Sequence, residues 1–523
     1  MNNNYSEMNE DTNKEDKSSV KKMRDEYMSD IRKEKQENRF AGSRFRNTVI
    51  PGVQNANLDF DFLHIQHHPM NRILIAKIQE WSNQNPQPEL LYSFLELIRS
   101  SNILEQHQGI IGLRRILSNK ANLPIRQILD HSALYIIIAM TQNQEEPHLQ
   151  LEATWCLANL ASGSTEETYS LIKKNIISIF VQLSKSTLPQ IAEQAIWGLG
   201  NISGDCTELR TMVLKSEAPS NLLELIETSQ VEKIKNLIIW VFSNICRLKP
   251  ERESVAQNIS KMLTKLVTYF TNSNSVEVQN DALLGMSKVV KGPSVVEFAK
   301  KEFLSKLLIY YNDCLCSHET NSTKIQAIHT ILGALTSSTH EHTMMVVEAG
   351  FLTPLCVILG VSQEDRLRES CWILSNIAIG EPIQIQRLIS EPGLFQIIAL
   401  LSDSSSVEIS KEALWIICNL TLTKDESILR FLIDSLGILS IFNKNLNITN
   451  DSKKIGLIIE AVRELFEYFA MKVNPGDENP LALVMKQNGI SRQLEMLQYH
   501  RSENLYIKVL GILERFFILE ECS

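Results

Sequence analysis

A chain of 523 residues, 44% of them hydrophobic and 22% charged, is too long for one compact core and implies several domains or one elongated array. Its net charge of −9 argues against nucleic acid as the main ligand of the body, and the lack of any run of about 18 uncharged apolar residues argues against a membrane span. No apolar segment of a secretory signal opens the sequence, so the expected location is the cytoplasm or nucleus.

Residues 1–19 are rich in Asn, Asp, Glu, Lys and Ser and poor in aliphatics, which reads as disorder. Residues 20–47 follow with nine Lys/Arg against five Asp/Glu, a basic arm on an acidic body. Within it, VKKMRDEYMSDIRKEKQENRF has helix-forming residues but no broad apolar stripe, so that helix is marginal alone. Residues 48–69 read as a linker. From 70 to 520 the apolar residues recur at three- and four-residue steps, and alternating strand patterns are scarce. Gly163, Gly204, Gly292 and Gly380 fall where these helices would need a left-handed stop. The cysteines, Cys156, Cys246, Cys371 and Cys418 among them, are scattered through apolar stretches and read as small buried hydrophobes. The cluster Cys314, Cys316 and His318 lacks a second ligand pair at zinc spacing, so neither a metal nor a cofactor is expected.

The helical region is periodic. Five tryptophans are followed by Asn at the fourth position: Trp155/Asn159, Trp197/Asn201, Trp240/Asn244, Trp372/Asn376 and Trp415/Asn419. Successive tryptophans lie 42 and 43 residues apart up to Trp240, and Trp372 and Trp415 are again 43 apart. The gap of 132 between Trp240 and Trp372 leaves room for two units without Trp, with Leu284 and Thr330 in its place. A period of this size belongs to armadillo or HEAT arrays, so the expected fold is an all-α solenoid of about ten units preceded by a flexible basic arm; what the unit motifs resemble implies the armadillo type, a right-handed superhelix.

Residues four apart share one helix face, so each unit presents one indole beside one carboxamide. A core has little use for an amide at the same offset five times, and the pattern therefore points to an exposed ladder. Asn carries a donor and an acceptor that can pair with the backbone of an extended peptide of any sequence. Indoles between them would form slots for Lys or Arg stems. Asp205, Glu369 and Glu412 would supply acid at the rim, which makes the inferred ligand an extended Lys/Arg-rich segment.

LEATWCLANLASGSTEET, AEQAIWGLGNISGD, WVFSNICRLKP, ESCWILSNIAIGE and KEALWIICNLT resemble the armadillo motifs of the importin-α (karyopherin-α) family of nuclear import adaptors. GLRRILSNKANLPI near the start and GISRQLEMLQYHRSENLYIKVLGILERFF near the end extend the resemblance to nearly the whole chain. It implies two sites for nuclear localisation signals. Trp155, Asn159, Gln194, Trp197, Asn201, Asp205, Trp240 and Asn244 match the major site, Asp205 being the acid for a key lysine. Glu369, Trp372, Asn376, Glu412, Trp415 and Asn419 match the minor site, and Arg247 matches a basic residue separating the two grooves. The arm resembles the importin-β-binding segment, with Arg24, Arg32, Lys33, Lys35 and Arg39 in its basic pattern. The partners implied are importin-β, cargo proteins bearing the signals, and a nuclear export receptor, to which no residues are assigned.

The sequence also departs from the family. GSRFRN offers only Arg44 and Arg46 where the family has a basic cluster that folds back into the major groove, so weak autoinhibition is expected. Lys288 replaces a usual Tyr and Ala334 a usual Asn, so a weakened minor site beside an intact major one is expected. The alternative reading is a non-transport armadillo scaffold for another extended peptide. No phosphate loop, HExxH or GxSxG motif, and no histidine cluster, points to an enzyme.

Overall fold

The computed structural model of the protein describes residues 71–516, except for 85, 119–122, 248–252, 291, 320–321, 448, 450 and 474–478. The segments 1–19, 20–47 and 48–69, and with them Arg24, Arg32, Lys33, Lys35, Arg39, Arg44 and Arg46, lie outside the described residues. Among those described there is no strand, and no single helix is long and apolar enough to cross a membrane.

Each repeat closes on a long helix of 14–16 residues, which in five of the repeats carries the Trp/Asn pair. In chain order these long helices are α1 (Ile103–Leu117), α2 (Pro147–Leu160), α3 (Pro189–Gly204), α4 (Glu232–Ile245), α5 (Val276–Val289), α6 (Thr323–Thr336), α7 (Glu364–Ala378) and α8 (Val407–Leu420). The chain divides into two compact units, one ending at Val289 and the other beginning at Val290. In the first, α1 to α5 pack consecutively side by side; in the second, α6 to α8 do the same, continued by the helix Ser452–Ala470. Each unit is thus an armadillo-like, all-α stack, as the periodicity predicts.

Local chemistry explains where the helices start. Pro147 opens α2 and Pro189 opens α3 at a position where its missing N–H costs nothing. The side chains of Ser322 and Ser406 cap α6 and α8, and Ser164 with Glu167 forms a reciprocal capping box on Thr165–Ile172. The turns with positive φ fall elsewhere than at the glycines singled out from sequence. Gly163, Gly204 and Gly380 do not adopt positive φ; Asn175, Gly350, Gly393, Gly437 and Gly489 do, each just before the second helix of its unit. The sharp reversal lies between the first and second helices, where the Gly393 and Gly437 backbones enter a region that side chains disfavour.

Every long helix buries a broad aliphatic face. In α4, Ile238, Ile239, Val241, Phe242 and Ile245 are fully enclosed, and in α8 Leu414, Ile416 and Ile417 are. Regularity falls off near the end: a five-residue π turn follows Glu426–Arg430, and the interval between positive-φ glycines lengthens at Gly489.

Candidate functional site

The Trp/Asn pairs fall in register on the long helices, and each Asn lies in its helix's last turns. Their amide nitrogens all reach back one repeat. Asn201 Nδ2 donates to the Ala158 carbonyl at 2.9 Å, Asn244 to Gly200 at 3.1 Å and Asn419 to Ser375 at 2.8 Å. Asn376 donates to Thr336 Oγ1 at 3.3 Å, and Asn159 to Ser118 Oγ at 3.4 Å. The carboxamides therefore staple successive repeats, a role not foreseen in the sequence, and Asn244, Asn376 and Asn419 are buried rather than exposed. Among the described residues none of the five Oδ1 atoms takes a hydrogen bond. Each unit contains its own column of fixed acceptors.

The indoles are wedged in a related way. Trp240 lies on Gly200, where a Cβ would come within 2.0 Å of Cζ3, and Trp372 lies on Gly333, where it would come within 1.8 Å. Both glycines stand three residues after the Trp place of the preceding unit, a signal that the sequence holds but that only the contact explains. Trp155, Trp197 and Trp415 are half-buried. Trp197 and Trp240 touch, with ring centroids 5.0 Å apart and planes inclined by 34°. The expected open slot between those two indoles is closed, because a methylene chain needs contact distance on both of its sides. Trp372 is only 3% exposed and offers little face to a ligand. Trp81, too, is followed by Asn at the fourth position, but it lies 74 residues before Trp155, out of period.

Electrostatics differ along the ladder. Asp205 directly follows the last residue of α3 and accepts the Thr165 hydroxyl at 2.8 Å. A carboxylate at a helix C-terminus adds to the negative end of the dipole, so its placement raises the cation affinity of this end at a cost in stability. Gln194 is buried three residues before Trp197. Arg247 follows α4, where burial lowers its pKa and Asp281 opposes the shift.

Beside Trp155, the Arg114 guanidinium sits 4.5 Å from the ring centroid and is paired twice with Glu152, at 2.7 and 3.3 Å. His148 stacks on His107 at 5.3 Å, and burial, reinforced by Arg114, pushes its pKa down to about 3.

Two acids expected at the rim are placed differently. Glu412 is 1% exposed, enclosed in the packing of α8. Glu369 retains 22% side-chain exposure but is engaged by Arg366 and lies 3.4 Å from His329 Nδ1. In the central units, Lys288 is exposed on α5, and Ala334 and Thr330 lie on α6 in the Asn and Trp places. Sequence reasoning missed Arg114, Arg366 and His329: Arg114 and His329 meet acids about one repeat away, whereas Arg366 stands three residues before Glu369 on one helix, a spacing that the sequence does show.

The fold and the ladder define an all-α armadillo-type repeat protein with a column of acceptors suited to an extended backbone. No protein-family model matches the chain. Its sequence is similar to Importin subunit alpha-1b of Oryza sativa subsp. japonica, 29% identical over 293 residues that cover 54% of this chain and 52% of the relative. It is 31% identical to Importin subunit alpha-6 of Arabidopsis thaliana over 218 residues, 41% of this chain and 40% of the relative. Importin subunit alpha-8 of Arabidopsis thaliana matches at 24% over 414 residues, 78% and 89% of the two chains. The first matches thus span about half the length of those relatives. A crystallised engineered protein superposes with a TM-score of 0.62 at 20% identity, over 81% of this chain and 98% of its own, which speaks for the fold alone. The chain is importin-α-like, and the likeness is to transport subunits rather than to an enzyme.

Proposed function

We propose that the protein is a nuclear import adaptor that receives Lys/Arg-rich nuclear localisation signals on its Trp/Asn ladders. The observation that carries this reading is the column of Asn Oδ1 acceptors, fixed by staples to the preceding repeat and taking no hydrogen bond from the described residues. An extended peptide can lay its N–H groups along such a column, because the acceptors are held in place before it arrives and no ordering is needed on binding. The ligand's charge follows from Asp205 at the C-terminus of α3, the negative end of that helix dipole. Trp197 and Trp240 touch, so the stem-binding position of the first unit lies between Trp155 and Trp197.

In this reading the first unit holds the major site, ending at Arg247, and the second holds a weaker minor site around Trp372, Asn376, Trp415 and Asn419. Residues 20–47 bind importin-β, Arg44 and Arg46 compete weakly for the major site, and an export receptor returns the protein to the cytoplasm, so that it shuttles between the two compartments. The test is fluorescence anisotropy of a labelled Lys/Arg-rich signal peptide titrated with the full chain and with Asp205→Lys. We expect the reversal to weaken binding at least about 30-fold, since it removes one charged contact and adds a repulsion. Binding indifferent to Asp205→Lys would overturn the assignment of the major site.

A further inference from the structure

Resting on the ladder reading above, we propose that Arg366 is a specificity-determining residue of the second unit, an internal cation that occupies Glu369 and turns the Trp372 position away from Lys and Arg. Glu369 stands three residues before Trp372 and seven before Asn376, so all three share one face of α7. Asp365, four residues earlier, is a second acid of that face; Glu369 is the one beside Trp372, with 22% of its side chain exposed. Arg366, one turn before Glu369, pairs with Oε2 through Nη1, and its side chain is 5% exposed. An arginine keeps its proton even when buried, so the pair has no net charge under any working condition.

The back of the carboxylate is closed as well. His329 of α6 lies 3.4 Å from the same Oε2, and the Tyr311 hydroxyl meets its other nitrogen at 2.5 Å. Burial keeps His329 neutral and Tyr311 a phenol, so neither contributes charge. Burial acts to raise the Glu369 pKa, but His329 and Arg366 outweigh it and hold the carboxyl below its ordinary value, ionised and paired. A ligand ammonium arriving here would meet a neutral pair and would have to displace a buried guanidinium from the carboxylate that it holds. Of the neighbouring charges, Arg368 lies 3.9 Å from Glu408 of α8, which also takes Lys411 at 3.0 Å, and Glu364 accepts the Ser406 hydroxyl at 2.7 Å.

The same device stands in the first unit, which supports a built arrangement over an accident of one side chain. Glu152, three before Trp155, is held by Arg114 with both members sealed from solvent. There the cation comes from the preceding repeat and the acid has no exposed edge. The Glu369 side chain keeps 22% exposure where that of Glu152 has none, so removing its internal partner presents a carboxylate to the ligand.

The experiment compares two peptides, identical except for Lys or its neutral isostere norleucine at the position facing Glu369, bound to the full chain carrying Asp205→Lys to weaken the first unit. Arg366→Met should raise the Lys-to-norleucine affinity ratio about five- to tenfold, the effect of one newly available, partly exposed carboxylate. Arg366→Lys should leave the ratio unchanged, and Glu369→Gln added to Arg366→Met should abolish the gain. Should Arg366→Met melt far below the parent, Arg366→Gln, neutral and able to hydrogen-bond the acid, takes its place with the same expectation. A ratio unmoved by the neutral variants, or a gain that survives Glu369→Gln, overturns the proposal while the ladder reading stands. Binding of neither peptide by any variant or by the parent chain overturns both.

Discussion

Replacing Asn244 by aspartate separates the staple from the acceptor, because the two side chains are isosteric and only the donor is lost. In the native structure Nδ2 donates to the Gly200 carbonyl at 3.1 Å with the side chain 4% exposed, and its carboxamide also rests against Gly204. A carboxylate at that place faces a carbonyl oxygen at hydrogen-bond distance, in the last turn of α4 where the helix dipole is already negative. Losing the buried hydrogen bond and leaving the group without a donor costs about 1–3 kcal/mol, and the desolvated charge adds to it, for about 3 kcal/mol in all. For a unit of this size, ~3 kcal/mol lowers the melting temperature by about 6–12 °C. Circular dichroism melts at pH 7 measure it, and at pH 5 part of the loss should return, because a protonated Asp regains a donor. Asn244→Ala, which introduces no charge, should fall between the two. A variant Asn244→Asp that melts within a degree of the parent at pH 7 would refute the staple and leave ligand pairing as the sole role of the ladder.

Gly333→Ala drives a methyl group to within 1.8 Å of the Trp372 ring, so the indole or its helix must move; the overpacking should cost about 1–3 kcal/mol and alter tryptophan fluorescence. Gly511→Ala, with nothing near the added carbon, is the control, and equal stability of the two variants would contradict the wedge. His148 is held neutral with a pKa of about 3, below its unfolded value, so the unfolded chain binds the extra proton between these values. Its contribution is therefore full above about pH 6.5 and is lost as the pH falls toward 3, by up to ~1.4 kcal/mol per pH unit. Urea midpoints of the parent and His148→Leu at pH 7 and 5 should converge toward acid, and parallel behaviour would refute the assignment.

The sequence alone determined the architecture, because helix periodicity and capping act within a few residues and the unit recurs every 42 or 43 positions. It also marked the ladder residues, whose spacing of four is a property of one helix turn. What it did not carry is the use to which each polar atom is put. The partners of Asn201, Asn244 and Asn419 stand a whole repeat earlier, as do the glycines beneath Trp240 and Trp372. No local pattern separates an Asn facing a peptide from one that grips a neighbouring helix, and these side chains do the second while leaving an oxygen for the first. Charge shows the same limit. Asp205, Glu369 and Glu412 read alike as acids near a Trp, yet one ends a helix, one is paired to a buried Arg and one is enclosed. Burial and pairing are set by the packing of helices some 40 residues apart, so only the tertiary structure decides which carboxylates a cationic ligand can reach.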